Sequence, residues 1–258
     1  MTNPGDIKPL IRSGSSPEKL AKTTEDLLKQ PLKQPEQASP IQVRANINPA
    51  DYIRIQGKSI VIAKYMPDFS KGFNYEDAHK EILNKGLFIP PIETFMHHFL
   101  DVIEAYQGRQ QLQLYDAAGN PISRDEVEDI YKYLTTAHKR GVWTWLSARF
   151  KPGRGFNNLN LETIIGIDAS GNLQTKTEPL EQCLLENCYV DLTFNRQGLP
   201  TRKSRNQQYK QGENIYYNYP RPNYVAGFVA GSGGASLDCD RLPEVSDPLL
   251  GVRAAREK

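Results

Sequence analysis

Every one of the 24 aromatic residues in the chain lies beyond position 50, while seven of its 18 prolines fall within the first 50 residues. A core needs large side chains, so this first fifth cannot supply one. Residues 1–45 are therefore expected to form a flexible N-terminal tail. Ser16-Pro17-Glu18 can cap a short helix that runs to Lys29 and stops before Pro31, but Leu20, Ala21, Leu27 and Leu28 are too few to hold it. Residues 46–258 are left for one domain.

From Tyr52 the texture changes. Tyr52, Ile53 and Ile55, then Ile60 to Ile62 around Gly57-Lys58, predict two short strands joined by a turn. Asn74 with Asp77 three residues on, followed by Lys85-Gly86, marks the ends of one helix. Pro90-Pro91 opens a second, Ile92 to about Tyr106, with Phe95, Phe99, Val102 and Ile103 at helical spacing. Ser123 and Glu126 form a capping box for a third, with Val127, Ile130, Tyr131 and Leu134 as its buried stripe. After Gly141 the period becomes two. Val142 to Leu146 predicts a central strand, and Leu112 to Tyr115, Ile164 to Asp168, Tyr189 to Phe194, Tyr224 to Ala230 and Leu250 to Ala255 are further strand candidates. Helices early and strands late are the order of an α+β domain.

With 32 basic and 30 acidic residues the net charge is +2, which argues against nucleic-acid binding over the whole surface. A basic run, Arg196, Arg202, Lys203, Arg205 and Lys210, lies near Tyr209, Tyr216, Tyr217 and Tyr219 and offers a local alternative, a site for single-stranded nucleic acid. No apolar run is long enough to span a membrane and the first ten residues lack a secretory signal, so the chain is expected to be cytoplasmic when made. Three cysteines fit reduced thiols. Cys183 and Cys188 are placed in a short helix opened by Pro179 and Cys239 on a strand's inward side. Glu93 and His97 are four apart on one helix, with no third ligand for a metal. No metal, cofactor or catalytic residue is expected.

The C-terminal third alternates. Phe228, Ala230 and Ser232, then Ala235, Leu237, Cys239 and Arg241, fall on one side, and Val229, Gly231, Ser236, Asp238 and Asp240 on the other, with a break at Gly233-Gly234. The first set fits a core and the second an outward face. The glycine-rich run 230–236 is not followed by Lys-Ser/Thr or a helical pattern, so it is no phosphate loop.

Val225-Ala226-Gly227-Phe228, Leu237-Asp238-Cys239-Asp240-Arg241, Pro243 and the ending Leu250-Gly251-Val252-Arg253-Ala254-Ala255 resemble the variable proteins of archaeal diversity-generating retroelements. Tyr75-Glu76-Asp77-Ala78-His79, Trp143-Thr144-Trp145-Leu146, Asn206-Gln207-Gln208-Tyr209 and Gln211-Gly212-Glu213-Asn214 extend the similarity over about residues 50–258. The resemblance implies a C-type lectin-like fold of the formylglycine-generating-enzyme-like subtype, with a mixed or antiparallel sheet, two to three helices, long irregular loops and a diversified face in about residues 225–250. In such families a reverse transcriptase miscopies template adenines, so asparagine codons become codons for many residue types. Gly227, Val229, Gly231, Gly233, Gly234, Ser236, Asp238, Asp240, Leu242, Asp247 and Leu249 are all reachable from AAC or AAT by changing adenines alone, whereas Glu244 is not. These eleven are the expected ligand-binding positions. With glycine at four of them, this copy offers a shallow face with few anchors.

The function expected is therefore non-enzymatic binding of an unidentified protein or cell-surface ligand, with surface display through a partner as an open possibility. An enzyme on the same fold is the further alternative. It would need paired copper-binding cysteines or a His-x3-His-x-Glu iron site, and neither pattern occurs in the chain. The alternation predicts that Asp238→Tyr is tolerated, that Leu237→Asp is not, and that the terminal strand pairs near Ile53.

Overall fold

The computed structural model describes residues 47–66, 72–108, 112–136, 142–246 and 250–258, all within one compact unit spanning Pro40–Lys258. The expected tail, 1–45, lies outside the described residues. The fold is α+β. Two short strands, β1 (Tyr52–Arg54) and β2 (Ile60–Ala63), pair antiparallel and are followed by three helices, α1 (Tyr75–Asn84), α2 (Ile92–Gln107) and α3 (Arg124–Thr135). Then come β3 (Val142–Pro152), β4 (Leu159–Ile167), β5 (Leu173–Pro179), β6 (Cys188–Asp191), β7 (Asn214–Asn218), β8 (Val225–Gly231), β9 (Gly234–Arg241), β10 (Leu250–Gly251) and β11 (Ala255–Glu257).

The helix ends follow their sequence signals. The Asn74 side chain accepts from the Asp77 amide at 2.9 Å and Ser123 Oγ from the Glu126 amide at 3.3 Å. Pro91 precedes α2, and Gly108 closes it in the left-handed region at φ 67°. The large sheet runs β5-β4-β3-β8-β9-β7-β6, with β10 beside β3, and only the β7–β9 and β10–β3 pairs are parallel. A second sheet is β1-β2-β11.

One face of the large sheet carries the main core. Phe228 packs against Phe95 and Phe99 of α2, ring centroids 4.7 and 5.2 Å apart, among Leu146, Leu237, Cys239 and Leu134, all buried. On the opposite face α1 covers one corner. Tyr75 meets Trp145 edge-on at 5.7 Å and, with Ile82, Val225 and Val252, makes a separate cluster. The rest of that face, over β8, β9, β7 and β6, has no helix across it among the described residues.

Several expectations need correction. Residues 180–187 are not helical. Their backbone groups are taken by the neighbouring 193–201 hairpin: the Glu181 amide donates to Gln197 Oε1 (2.8 Å) and the Leu184 amide to the Pro200 carbonyl (3.0 Å), leaving no helical ladder. Cys188 instead opens β6. Leu112 to Tyr115 forms no strand: Tyr115 makes an isolated bridge with Pro121, and Asp116 just beyond it makes one with Ile53. The C-terminal segment is split: β10 runs beside Trp143-Thr144, and β11 pairs with β2, Ala255 opposite Ile62, one strand away from Ile53. Arg253 causes the break. It is fully buried, its amide donating to Thr144 Oγ1 at 2.9 Å and its guanidinium to the carbonyls of Ala63 (2.8 Å) and Lys64 (2.6 Å).

Candidate functional site

The alternation of the C-terminal third becomes an antiparallel hairpin of β8 and β9. Its inward residues, Phe228, Ala230, Ala235, Leu237 and Cys239, are at most 1% exposed. Gly233 lies at the exposed turn, and Val229, Gly231 and Ser236 are half-buried on the opposite face. The register then shifts. Gly227 faces Asp238, but Val225 faces Arg241, so β9 carries an extra residue here. The bulge turns Arg241 from the inward side, where alternation placed it, onto the outer face. There its guanidinium lies 4.0 Å from the centre of the Trp143 ring.

Three expected positions are not freely changeable. Gly227 is buried, because the Arg241 stem passes over it: a Cβ there would lie 3.1 Å from Arg241 Cδ and 3.2 Å from the Thr144 carbonyl. Asp238 is 9% exposed rather than displayed. It accepts from Asn218 Nδ2 at 2.7 Å, from Arg241 Nη2 at 3.0 Å and from Ser236 Oγ, so a low-dielectric polar network takes up its charge. Gly234 has φ 99°, and a Cβ there would come within 2.4 Å of the Tyr209 ring. Asp240 is half-buried and 3.8 Å from Arg221, and burial together with the nearby Asp238 charge raises its carboxyl above the usual range. Leu242 is 51% exposed. Asp247 and Leu249 lie outside the described residues.

Strand register assembles what sequence reading left scattered. Trp143 on β3 faces Val229 on β8, Val229 faces Ser236 on β9, Ser236 faces Tyr216 on β7, and Tyr216 faces Tyr189 on β6. The five residues form one straight row across the open face, all half-buried. Tyr189 and Tyr216 meet edge-to-face at 5.1 Å. Asn218 and Asp238, partnered in register, start the next row. Trp143 and Tyr189 fall in strands expected from the sequence, whereas Tyr216 is read there only as an aromatic beside the basic run. Nothing local to them signals that they bracket Val229 and Ser236, because pairing across 20 to 86 residues of chain is not written in either strand.

The basic run is largely neutralised. Arg196 pairs with Glu181 (2.6 Å), Arg202 with Asp191 (2.8 Å), Lys203 with Glu186 (3.0 Å) and Lys210 with Glu213 (3.8 Å). Residues 202–204 also lie along β6, the Asp191 amide donating to the Arg202 carbonyl and the Ser204 amide to the Tyr189 carbonyl, which protects that edge. The Glu93 carboxylate is bonded to Lys58 and stands 3.4 Å from His97 Nε2. Glu93 and His97 line a small cleft with Met96, Leu100, Phe194 and Asn195. Among the described residues no three His, Cys, Asp or Glu side chains converge as metal ligands. All three cysteines are free and buried, and desolvation pushes each thiol's pKa up, away from the reactive thiolate. No helix among the described residues is long and apolar enough to cross a membrane. The chain matches no family model, no curated protein and no solved structure to which it was compared.

Proposed function

We propose that this is a non-enzymatic binding protein with a C-type lectin-like fold, its C-terminal face diversified by retroelement-directed mutagenesis toward protein or cell-surface ligands. The observation that carries the reading is the hairpin itself. Val229, Gly231, Gly233 and Ser236, four of the expected variable positions, lie on one open face and its turn, and their inward neighbours are almost wholly buried. A surface of this kind can change its side chains at little cost while the core stays fixed, since exposed substitutions usually fall within ~0.5 kcal/mol. The nucleic-acid alternative is weaker, because four of its five basic side chains already face carboxylates. Sequencing the DNA beside the gene tests the reading. A near-identical repeat should carry adenine-bearing codons at 229, 231, 233 and 236, and none at 228, 230, 235, 237 or 239. Absence of such a repeat, or differences falling on the inward set, would overturn it.

A further inference from the structure

We propose that Trp143, Tyr216 and Tyr189 are fixed anchors of the binding face and that the face is shaped for the surface of a folded protein. This rests on the reading of the face just given and adds residues outside 225–250 to it. The row Trp143, Val229, Ser236, Tyr216, Tyr189 places two changeable positions in the middle and unchanging aromatic rings at both ends. Four inter-strand steps of ~4.8 Å make it roughly 19 Å long. The rings are held before any ligand arrives. Arg241 lies 4.0 Å over Trp143 and is itself held by Asp238, which Asn218 fixes in turn; Tyr216 and Tyr189 brace each other at 5.1 Å. Tyr216 and Tyr189 belong to none of the buried apolar clusters, so packing the core does not account for them.

Three features select the occupant. Large, stiff aromatic groups beside Ser, Gly, Asn and Arg are the chemistry of antibody-like recognition of proteins, in which Tyr and Trp give contact area at little entropic cost. The charges of the face are matched within it, Arg241 with Asp238 at 3.0 Å and Arg221 with Asp240 at 3.8 Å, which leaves no net positive track for a polyanion. The row is also much longer than one sugar ring, and a roughly 19 Å line fits within a protein contact patch of about 800 Å² per partner.

The test uses the full chain displayed on yeast, with positions 229, 231, 233 and 236 randomised and selection on hen egg-white lysozyme. Binders should emerge, and Tyr216→Ala, Tyr189→Ala or Trp143→Ala in a selected binder should each raise Kd at least tenfold. Tyr216→Ala and Tyr189→Ala should do so with the melting temperature lowered by no more than about 4 °C, the loss of their mutual contact, which guards against Trp143→Ala acting through Arg241. Kd values unchanged within threefold for all three would overturn the anchors and leave the variable face standing. Clones that bind dextran beads or oligo(dT) as tightly as lysozyme would overturn the protein occupant. No binder from a large library that remains folded would overturn both the anchors and the face.

Discussion

Asp238 is where the outer face of the hairpin and the stability of the fold meet. Its carboxylate holds Arg241, and Arg241 roofs Gly227 and caps Trp143. Removing one partner of a fully buried ion pair costs ~3–5 kcal/mol, and the 13% and 16% side-chain exposure of this pair reduces that. Asp238→Ala is expected to cost about 2 kcal/mol, and Asp238→Tyr at least as much, against the tolerance that alternation predicts. Urea unfolding at pH 7 checks this, and a loss below 0.5 kcal/mol for Asp238→Ala would contradict it. The glycines make a matched pair for the same measurement. Gly227→Ala presses on a backbone carbonyl and should destabilise by about 1 kcal/mol, whereas Gly233→Ala, with nothing within 4 Å, should stay within ~0.5 kcal/mol. Alternation alone was enough to find Phe228, Ala230, Leu237 and Cys239. It failed at Arg241 because period two assumes unbroken register, and nothing in the letters Asp-Cys-Asp-Arg marks the bulge.

Two turns of one design join strands and bridges in the fold. Asp116-Ala117-Ala118-Gly119-Asn120 and Asp168-Ala169-Ser170-Gly171-Asn172 each bring the aspartate amide to the asparagine carbonyl at 2.9 Å and the glycine amide back to the aspartate carbonyl, at 3.1 and 3.0 Å. In both, the aspartate Oδ1 accepts two backbone amides and Oδ2 accepts the asparagine side chain. The glycines sit at φ 98° and 82°, where a Cβ is strained. Gly171→Ala should therefore cost about 1 kcal/mol from backbone conformation alone, since no atom lies within 4 Å of its Cβ position. Gly119→Ala should cost more, because its Cβ would come 2.8 Å from the Arg54 guanidinium, which donates to the Ala117 carbonyl. Thermal melts of the two variants decide the order, and a Gly171→Ala protein more stable than its parent would refute the account. Elements with such local grammar were legible: the helices through Asn74, Pro91 and Ser123, the turns through glycine. The missed strands have none. β5 is the edge strand Leu-Gln-Thr-Lys-Thr-Glu-Pro, largely exposed, with too little apolar alternation to mark it. β7 hides its buried residues, Ile215 and Tyr217, among tyrosines that read equally well as part of a polar loop.

At the scale of the whole molecule, the two sheets and three helices of the described residues bury groups that titrate, and this makes stability depend on pH in a way each group can be held to account for. His79 is buried against the Tyr75 ring at 4.6 Å and faces the Arg149 charge, and desolvation first, that charge second, lower its pKa to about 3. His98 is fully buried near Phe95 and Arg253, and the same two causes hold it well below 6.5. Both stay neutral in the native state while the unfolded chain takes up their protons below pH ~6.5. Stability from these two must therefore fall on acidification, at a slope approaching ~1.4 kcal/mol per pH unit for each. Asp101 works in the opposite sense. Burial raises its pKa from 3.8 to about 6 despite the Gln56 amide bonded to it at 3.0 Å, so the native state holds a proton there that the unfolded state has lost. Its contribution grows as pH falls through 6 and offsets part of one histidine's loss. Between pH 6 and 5, above the range of ordinary carboxylates, the net slope should be about 1.5 kcal/mol per pH unit. Asp101→Asn, which keeps an oxygen to accept from Gln56 but cannot ionise, should steepen it to about 2.5 kcal/mol per unit and raise stability at pH 7 by about 1 kcal/mol, the figure being discounted for partial exposure. His79→Phe should flatten it by about 1 kcal/mol per unit. Urea unfolding at pH 7, 6, 5.5 and 5 measures all three. A parent protein equally stable across that range, or an Asp101→Asn variant with the parent's slope, would show that these groups do not titrate as their burial requires.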